Sequence, residues 1–154
     1  MANTFTQIHI HAVFAVQNRI SLINKSWQER LYKYIIAVMQ KHGHKVLSIG
    51  GMPEHVHILF GFRPTQALSN LIQEVKRDSS EWVNKEKLVM GRFSWQEGYG
   101  AFSYSKSHIS LVVEYIENQE QHHIKKTFLD EYKKILKDFN LEYDEKYIFK
   151  PVEE

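Results

Sequence analysis

The chain has 154 residues, of which 43% are hydrophobic and 25% are charged, a composition typical of one folded domain. It contains no cysteine, which excludes disulfide scaffolds, thiolate zinc sites and cysteine nucleophiles. No apolar run approaches the roughly 20 residues that span a bilayer, and residues 1–4 lack a signal-peptide pattern. We therefore expect a cytoplasmic protein.

The net charge of +2 conceals an uneven distribution. Through Ser110 there are 13 lysines and arginines against 7 acidic residues, whereas from Leu111 onward there are 7 against 11. The small total charge therefore comprises a basic body and an acidic C-terminal portion.

The N-terminal part of the chain predicts a strand followed by a helix. Alternating β-branched and aromatic residues from Thr6 to Val16 are typical of a strand. Ser26 to Glu29 has the S-x-x-E pattern of a capping box, which predicts the start of a helix. Gly43 is a plausible stop for that helix.

Two strands are predicted next. The first runs from Lys45 to Ile49, and we expect the Gly-Gly-Met-Pro segment 50–53 to break it. The second runs from His55 to Phe62, within hairpin distance of the first.

The remainder predicts helices around a glycine-punctuated, aromatic region, residues 93–104, where we expect short strands joined by a loop. The helix after Pro64 is expected to be interrupted near residues 79–80, and Ser107 is a candidate cap for the next helix. The apolar stripe of the last helix comprises Phe128, Tyr132, Ile135, Leu136 and Phe139.

The element order predicts an α+β fold with a ferredoxin-like (RRM-like) split βαβ antiparallel sheet and extra C-terminal helices. The first and third strands would lie side by side at the sheet centre. Helices would cover one face and leave the other available for ligands. We expect a single domain over residues 1–154, with an irregular acidic tail at about 141–154.

His55 and His57 are separated by one residue on the predicted third strand. Side chains at that spacing project from the same face of a strand, about 7 Å apart, and can converge on one metal ion. Two histidines on a polar sheet face would have the same spacing, so both interpretations stay open.

His9 and His11 repeat this spacing on the first strand. They could face the same site if the two strands are neighbours. Because they lie in the middle of a strand, whereas His55 directly follows a tight turn, we interpret His9 and His11 as structural.

Tyr115 and Gln119 are four residues apart on the helix after Ser107, so their Cβ atoms lie on one helix face, roughly 6 Å apart. His108 and His122 share this row. The row flanks the apolar stripe of the helix, and Tyr115 is therefore at the edge of the packed face. That position suits a nucleophile and equally an amphipathic tyrosine at a helix–sheet boundary.

Three segments together resemble a known family. His55-Val56-His57, after a Gly/Pro turn, resembles an HUH motif, and the aromatic, glycine-rich block 95–103 resembles a strand of the same family. The run Y-I-E-N-Q-E-Q-H-H at 115–123 resembles its tyrosine helix. The family is that of the HUH-type single-tyrosine transposases of the insertion sequence 200/605 group, and the similarity extends to about Tyr143.

This resemblance implies a metal-dependent transposase that cuts and rejoins single-stranded DNA. Tyr115 would be the catalytic nucleophile that forms a 5′-phosphotyrosine linkage, and His55, His57 and Gln119 would bind the metal. Two imidazoles and an amide oxygen suit Mg²⁺ or Mn²⁺ better than a tightly held zinc ion. The acceptor of the tyrosine proton is left open, with His108 and His122 as candidates.

Five residues are candidate DNA contacts, since lysine and arginine bind phosphate and an exposed aromatic ring stacks a base. Each is equally consistent with a solvated surface residue or, for the tryptophan, a core residue. The resemblance further implies a homodimer that acts on hairpins at insertion-sequence ends, with an active site shared between subunits. The five candidates are Lys76, Arg77, Arg92, Trp95 and Lys106.

Two other functions compete with this hypothesis. A rolling-circle nickase uses the same chemistry but usually has a longer chain with further domains. A non-catalytic module that binds single-stranded nucleic acid is the alternative from a different class. Against it, the strands lack the aromatic pattern of RNA-recognition domains.

Overall fold

The computed structural model describes residues 4–123 and 126–141. The strands are β1 His9–Ala15, β2 Lys45–Met52, β3 His55–Gly61 and β4 Gly100–Ser103. The helices are α1 Lys25–Lys41, α2 Leu68–Lys85, α3 Ile109–Glu117, α4 Gln119–His122 and α5 Phe128–Asp138.

The four strands form one antiparallel sheet in the order β2-β3-β1-β4. The first and third strands therefore lie at the centre, and the ferredoxin-like prediction is confirmed. In their pairing, Val13 lies opposite His57 and Ala15 opposite His55. Instead of several short strands, the region 93–104 contains β4 and a single bridge between Trp95 and Val16.

Both faces of the central strands are buried, which differs from the expected free face. Alternate residues such as Phe14 and Ile58 pack under α1 and α2 in the larger core. On the opposite face, Val13 packs with α5, and Leu59 packs with α3. The C-terminal helices therefore cover part of the face that was expected to be available, and a ligand has only the space between them.

The start of α1 differs from the predicted capping box. The helix begins at Lys25, and Asn24 is its N-cap, with a side-chain oxygen that accepts from the Ser26 N–H at 2.8 Å. Asn24, the residue just before the helix, therefore provides a partner for a first-turn backbone N–H group that has no acceptor within the helix. The predicted stop is confirmed: α1 ends at Lys41, and Gly43 has a φ of +85°.

Two serine predictions are also wrong. The second helix, α2, continues through residues 79–80, because the Ser79 hydroxyl donates to the Val75 carbonyl within the helix and also accepts from Trp95. Ser107 lies in a short 3₁₀ turn before α3, and no side chain caps the start of that helix.

The glycines of β2 do not break the strand. Strand β2 continues through Gly50 and Gly51 to Met52. A Cβ on Gly50 would lie 2.5 Å from the backbone oxygen of Ile116, so glycine there allows α3 to pack directly on the strand.

The predicted tail at 141–154 lies outside the described residues except for Leu141, and the single-domain expectation stays a prediction. Within residues 4–123 and 126–141, no helix combines the length and apolar character needed to cross a bilayer.

Replacing Gly50 by alanine should lower the free energy of unfolding by about 1–3 kcal/mol, since overpacking against backbone cannot be relieved by a rotamer change. Urea unfolding measures this loss. Gly61→Ala is the matched control, because the nearest atom to its added Cβ would be 3.9 Å away. The control should stay within about 0.5 kcal/mol of wild type. Equal losses in both variants would contradict the proposed role of Gly50.

Candidate active site

The two histidines of β3 lie at the first and third positions of the strand and point to the face shared with α3 and α5. Both side chains are fully buried. Their ring centroids are 5.0 Å apart. This is less than the roughly 7 Å between positions two residues apart along a strand, so the two side chains converge. The sequence pattern had left a polar, solvated face open as an alternative, and complete burial does not fit it.

Helix α3 brings Tyr115 to this pair. The ring centroids of Tyr115 and His57 are 5.8 Å apart. The expected single helix is divided: α3 ends at Glu117, and Gln119 begins the short α4. Gln119 nevertheless reaches the site, with its Oε1 3.0 Å from His55 Nε2.

Glu131 of α5 completes the cluster and was not among the predicted residues. It is 5% exposed, and its Oε1 lies 2.9 Å from His57 Nε2 and 3.5 Å from His55 Nε2. Its Oε2 accepts a hydrogen bond from the Tyr115 hydroxyl and another from Gln119 Nε2 at 3.2 Å. One feature of the sequence could have indicated it. Glu131 comes three residues after Phe128, so this charged residue lies within the apolar stripe of the last helix.

Three further residues surround this cluster. The Nε2 atom of His11 lies 2.8 Å from His57 Nδ1 in the interior, so His11 does face this site, as the neighbouring strands allowed. On the other histidine, His55 Nδ1–H donates to Glu54 at 2.9 Å. His123 Nε2 lies 3.1 Å from Gln119 Oε1 and 3.3 Å from Glu131 Oε2.

The buried carboxylate dominates the electrostatics. Burial alone would raise the pKa of Glu131, but hydrogen bonds from His123 and His57 outweigh it and hold the pKa well below its ordinary value. Burial, followed by the charge of Glu131, raises the pKa of Tyr115 well above its ordinary value. Burial lowers the pKa of His57. Burial, followed by the electrostatic interaction with His57, lowers the pKa of His11. The carboxylate is therefore ionised, the phenol is protonated, and these two histidines are neutral.

The donor set fits a divalent cation. One ligand atom from each of His55, His57 and Glu131 lies within 4.8 Å of the others. The neutral imidazole of His57 and the ionised carboxylate of Glu131 are the protonation states that metal ligands need.

A cleft of about 700 Å³ opens beside Tyr115 and Glu131, between α3 and α5. Its wall includes His11, Tyr104 and the exposed side chain of Leu111, and Lys126 contributes a positive charge. The site is therefore buried on the histidine side and open on the tyrosine side.

The predicted DNA contacts lie elsewhere. Lys76 and Arg77 line a second cavity, of about 390 Å³, between α2 and residues 94–99. Lys76 donates to the backbone oxygens of Gln96 and Gly98, and burial lowers its pKa to about 8. Trp95 also borders this cavity but is only 9% exposed, which leaves little ring surface for a base.

The other two candidates, Arg92 and Lys106, are exposed. His108, one of the two candidate proton acceptors, contacts Ser105 and lies on the cleft wall. The Tyr115 hydroxyl donates a hydrogen bond to Glu131, which makes this carboxylate a further candidate acceptor.

Comparison with known families identifies this architecture. The family described as "Transposase IS200 like" matches residues 4–119. The chain belongs to the IS200-like transposase family. The matched region of this transposase includes the histidine pair, Tyr115 and Gln119, whereas Glu131 and His123 lie beyond it.

Individual relatives agree with the family. The transposase is 25% identical over 119 residues to the ISDra2 transposase TnpA of Deinococcus radiodurans R1, which covers 73% of this chain and 84% of the relative. Two solved structures share its fold. One is a proposed transposase from D. radiodurans R1, with a TM-score of 0.63, 19% identity, and coverage of 77% of this chain and 95% of the other. The second is a REP-associated tyrosine transposase bound to a REP hairpin, with a TM-score of 0.60, 16% identity, and coverage of 80% and 73%.

Glu131→Gln should lower the pKa of His123 in the metal-free transposase. Burial lowers this pKa, whereas the hydrogen bond and charge of Glu131, followed by the Lys126 backbone and the charge of Glu54, raise it above its ordinary value. The variant loses the Glu131 contributions, which are the largest of those that raise the pKa. In wild type, the resulting stabilisation is complete below about pH 6.5 and is lost as the pH rises through the folded-state pKa. An NMR titration of the His123 ring measures the change.

The control for this titration is Glu120→Gln, which removes an exposed carboxylate paired with Lys25. It should leave the His123 pKa unchanged. A His123 pKa that is also unchanged in Glu131→Gln would show that the carboxylate does not control this histidine.

Proposed function

We propose that this transposase cleaves and rejoins single-stranded DNA at insertion-sequence ends through a 5′-phosphotyrosine intermediate, with Tyr115 as the nucleophile. One observation carries the proposal: within a single chain, the Tyr115 hydroxyl and the His55–His57 pair contact the same buried carboxylate, that of Glu131. A phenol with only a packing role would have no need of this arrangement.

His55, His57 and Gln119 would hold a divalent metal ion, Mg²⁺ or Mn²⁺, and the position of Glu131 adds a carboxylate to that set. When bound, such an ion supplies positive charge that offsets Glu131 and polarises the scissile phosphate. Oxygen and imidazole ligands suit these cations.

In the proposed tyrosine step one phosphodiester bond replaces another, so the energy of the bond is retained. The Tyr115 oxygen forms a bond to phosphorus while the bond from phosphorus to the 3′ oxygen breaks, which leaves a free 3′-OH and a 5′-phosphotyrosine. The phenolic proton already lies in a hydrogen bond to Glu131, so this carboxylate is the nearest acceptor. A later attack by a 3′-OH on the phosphotyrosine reverses the step and rejoins DNA without ATP.

The DNA would occupy two surfaces. The cleft beside Tyr115, with Lys126 on its wall, would take the single strand that is cut. The cavity lined by Lys76 and Arg77 would contact the phosphates of a hairpin, the kind of ligand bound in the REP-associated relative. Arg92, close in sequence to the cavity residue Ser94, would extend this basic surface, and Trp95 would support the cavity from beneath. Lys106 lies in the short turn that ends at His108 of the cleft wall, so it would contact the strand at the cleft.

The central test is formation of a covalent protein–DNA adduct. Wild type, incubated with a single-stranded hairpin from its own element end and Mn²⁺ or Mg²⁺, should form an adduct that EDTA abolishes. Tyr115→Phe should form none while still binding the hairpin, because only the nucleophilic oxygen is removed. Denaturing gel electrophoresis with labelled DNA detects the adduct.

Tyr104→Phe is the matched control, since Tyr104 lies on the wall of the same cleft. It should form adduct at a rate close to wild type. Hairpin binding without any adduct in the wild type would instead indicate the non-catalytic binding module. An adduct in Tyr115→Phe as strong as in wild type would exclude Tyr115 as the nucleophile.

The resemblance also implies a homodimer, which we propose acts in the cytoplasm, where bacterial DNA lies. Within one chain Tyr115 reaches its own histidine pair, and this contact supports a tyrosine that acts in its own subunit.

Mixing two inactive variants tests the arrangement of the tyrosine. If Tyr115 acts in its own subunit, a mixture of Tyr115→Phe with His57→Ala should form no adduct. A shared site would restore adduct, because the intact tyrosine of one subunit would meet the intact histidines of the other. Co-refolding the two variants before the assay provides mixed dimers, and co-refolded wild type with His57→Ala serves as the positive control.

A further inference from the structure

His57 uses its two ring nitrogens toward different partners. The Nε2 atom faces the carboxylate of Glu131 at 2.9 Å, and the Nδ1 atom lies 2.8 Å from Nε2 of His11 on the neighbouring strand. His57 is fully buried, and His11 is 1% exposed. In such an interior a ring N–H without an acceptor is costly, so the identity of the Nδ1 partner matters.

His55 has the same division of roles with a different partner. Its Nε2 atom faces the site, and its Nδ1–H donates to the carboxylate of Glu54 at 2.9 Å. Histidines that bind a metal through one nitrogen usually donate the other N–H to such a partner, which sets the tautomer and the ring orientation. His11 occupies for His57 the place that Glu54 occupies for His55.

In the metal-free protein His57 Nε2–H donates to Glu131, so His57 Nδ1 accepts from His11 Nε2–H. We propose that His11 is a positioning residue: when a metal ion takes the place of the Nε2 proton, the His57 proton lies on Nδ1 and donates to His11 Nε2, which leaves the His57 Nε2 lone pair for the metal. The inference rests on the proposed metal-dependent function. It assigns His11 a role through His57, without contact to the metal.

The packing around His11 holds it in this position. Its ring is stacked on that of His57, with centroids 5.0 Å apart and an interplanar angle of 26°. The rings of Phe102 and Tyr104 lie 6.1 Å from it. The pairing of β1 with β3 fixes the distance between the two backbones, because Val13 lies opposite His57 and His11 opposite Leu59.

Binding of Mn²⁺ to the full-length protein without DNA tests the inference, measured by isothermal titration calorimetry. His11→Leu removes the acceptor and should weaken binding about 10- to 100-fold, the usual effect of losing such a partner. His11→Gln, whose amide oxygen can take the place of Nε2, should stay within a few-fold of wild type. His9→Leu is the matched control from the same strand and should bind as wild type does.

A second measurement separates metal affinity from folding. In the adduct assay, His11→Leu should need correspondingly more Mn²⁺ for half-maximal cleavage and approach the wild-type rate at saturation. If the leucine variant does not fold, His11→Asn serves instead, because its shorter amide cannot reach His57 Nδ1.

The outcomes distinguish the inference from the function on which it rests. Wild-type affinity in His11→Leu, or equal losses in the Leu and Gln variants, would overturn the role of His11 as an acceptor while leaving the metal site intact. Failure of the wild type to bind Mn²⁺, with no difference from His57→Ala, would overturn the proposed metal site itself.

Discussion

The buried carboxylate of Glu131 is the interaction on which the arrangement of the site depends. An ionised group in a protein interior is tolerated only where it is paired and hydrogen-bonded. Here a single side chain from α5 meets His57 on β3, Tyr115 on α3, and Gln119 and His123 beyond it. Satisfying this charge joins the C-terminal helix to the sheet and to the tyrosine helix. The residues proposed for chemistry are thus held together by the same contacts that stabilise the fold.

The sheet makes this meeting possible through its order and its close packing. Placing β1 beside β3 brings His11 to the outer nitrogen of His57, whereas a different strand order would separate them. Gly50 lets the backbone of α3 approach β2, which sets the depth at which Tyr115 enters. Covering the second sheet face with α3 and α5 buries the histidines of β3 and leaves a cleft beside the tyrosine.

Local patterns predicted much of the fold and the centre of the site, and each failure has an identifiable physical cause. The S-x-x-E pattern predicted Ser26 as the cap of α1, but the cap is Asn24. Its side chain accepts a hydrogen bond from the backbone N–H of Ser26, which lies inside the helix. The glycines at 50–51 were interpreted as a strand break, since glycine weakens strands, but they serve a close approach between a strand and a helix that no local pattern reveals. The contact of His11 with His57 was left open because spacing alone cannot tell which nitrogen of a distant ring it will meet.

By itself the sequence determined the order of strands and helices and the residues that share each face, because the periods of strands and helices are local properties of the chain. It also excluded thiol chemistry and placed Tyr115, His55 and His57 among the candidates. Only the tertiary structure decided which distant residues contact His57. Glu131, 74 residues away in the sequence, lies against one ring nitrogen, and His11, 46 residues away, lies against the other. Such contacts depend on strand pairing and helix docking, in which each partner's position is set by the packing of the whole core.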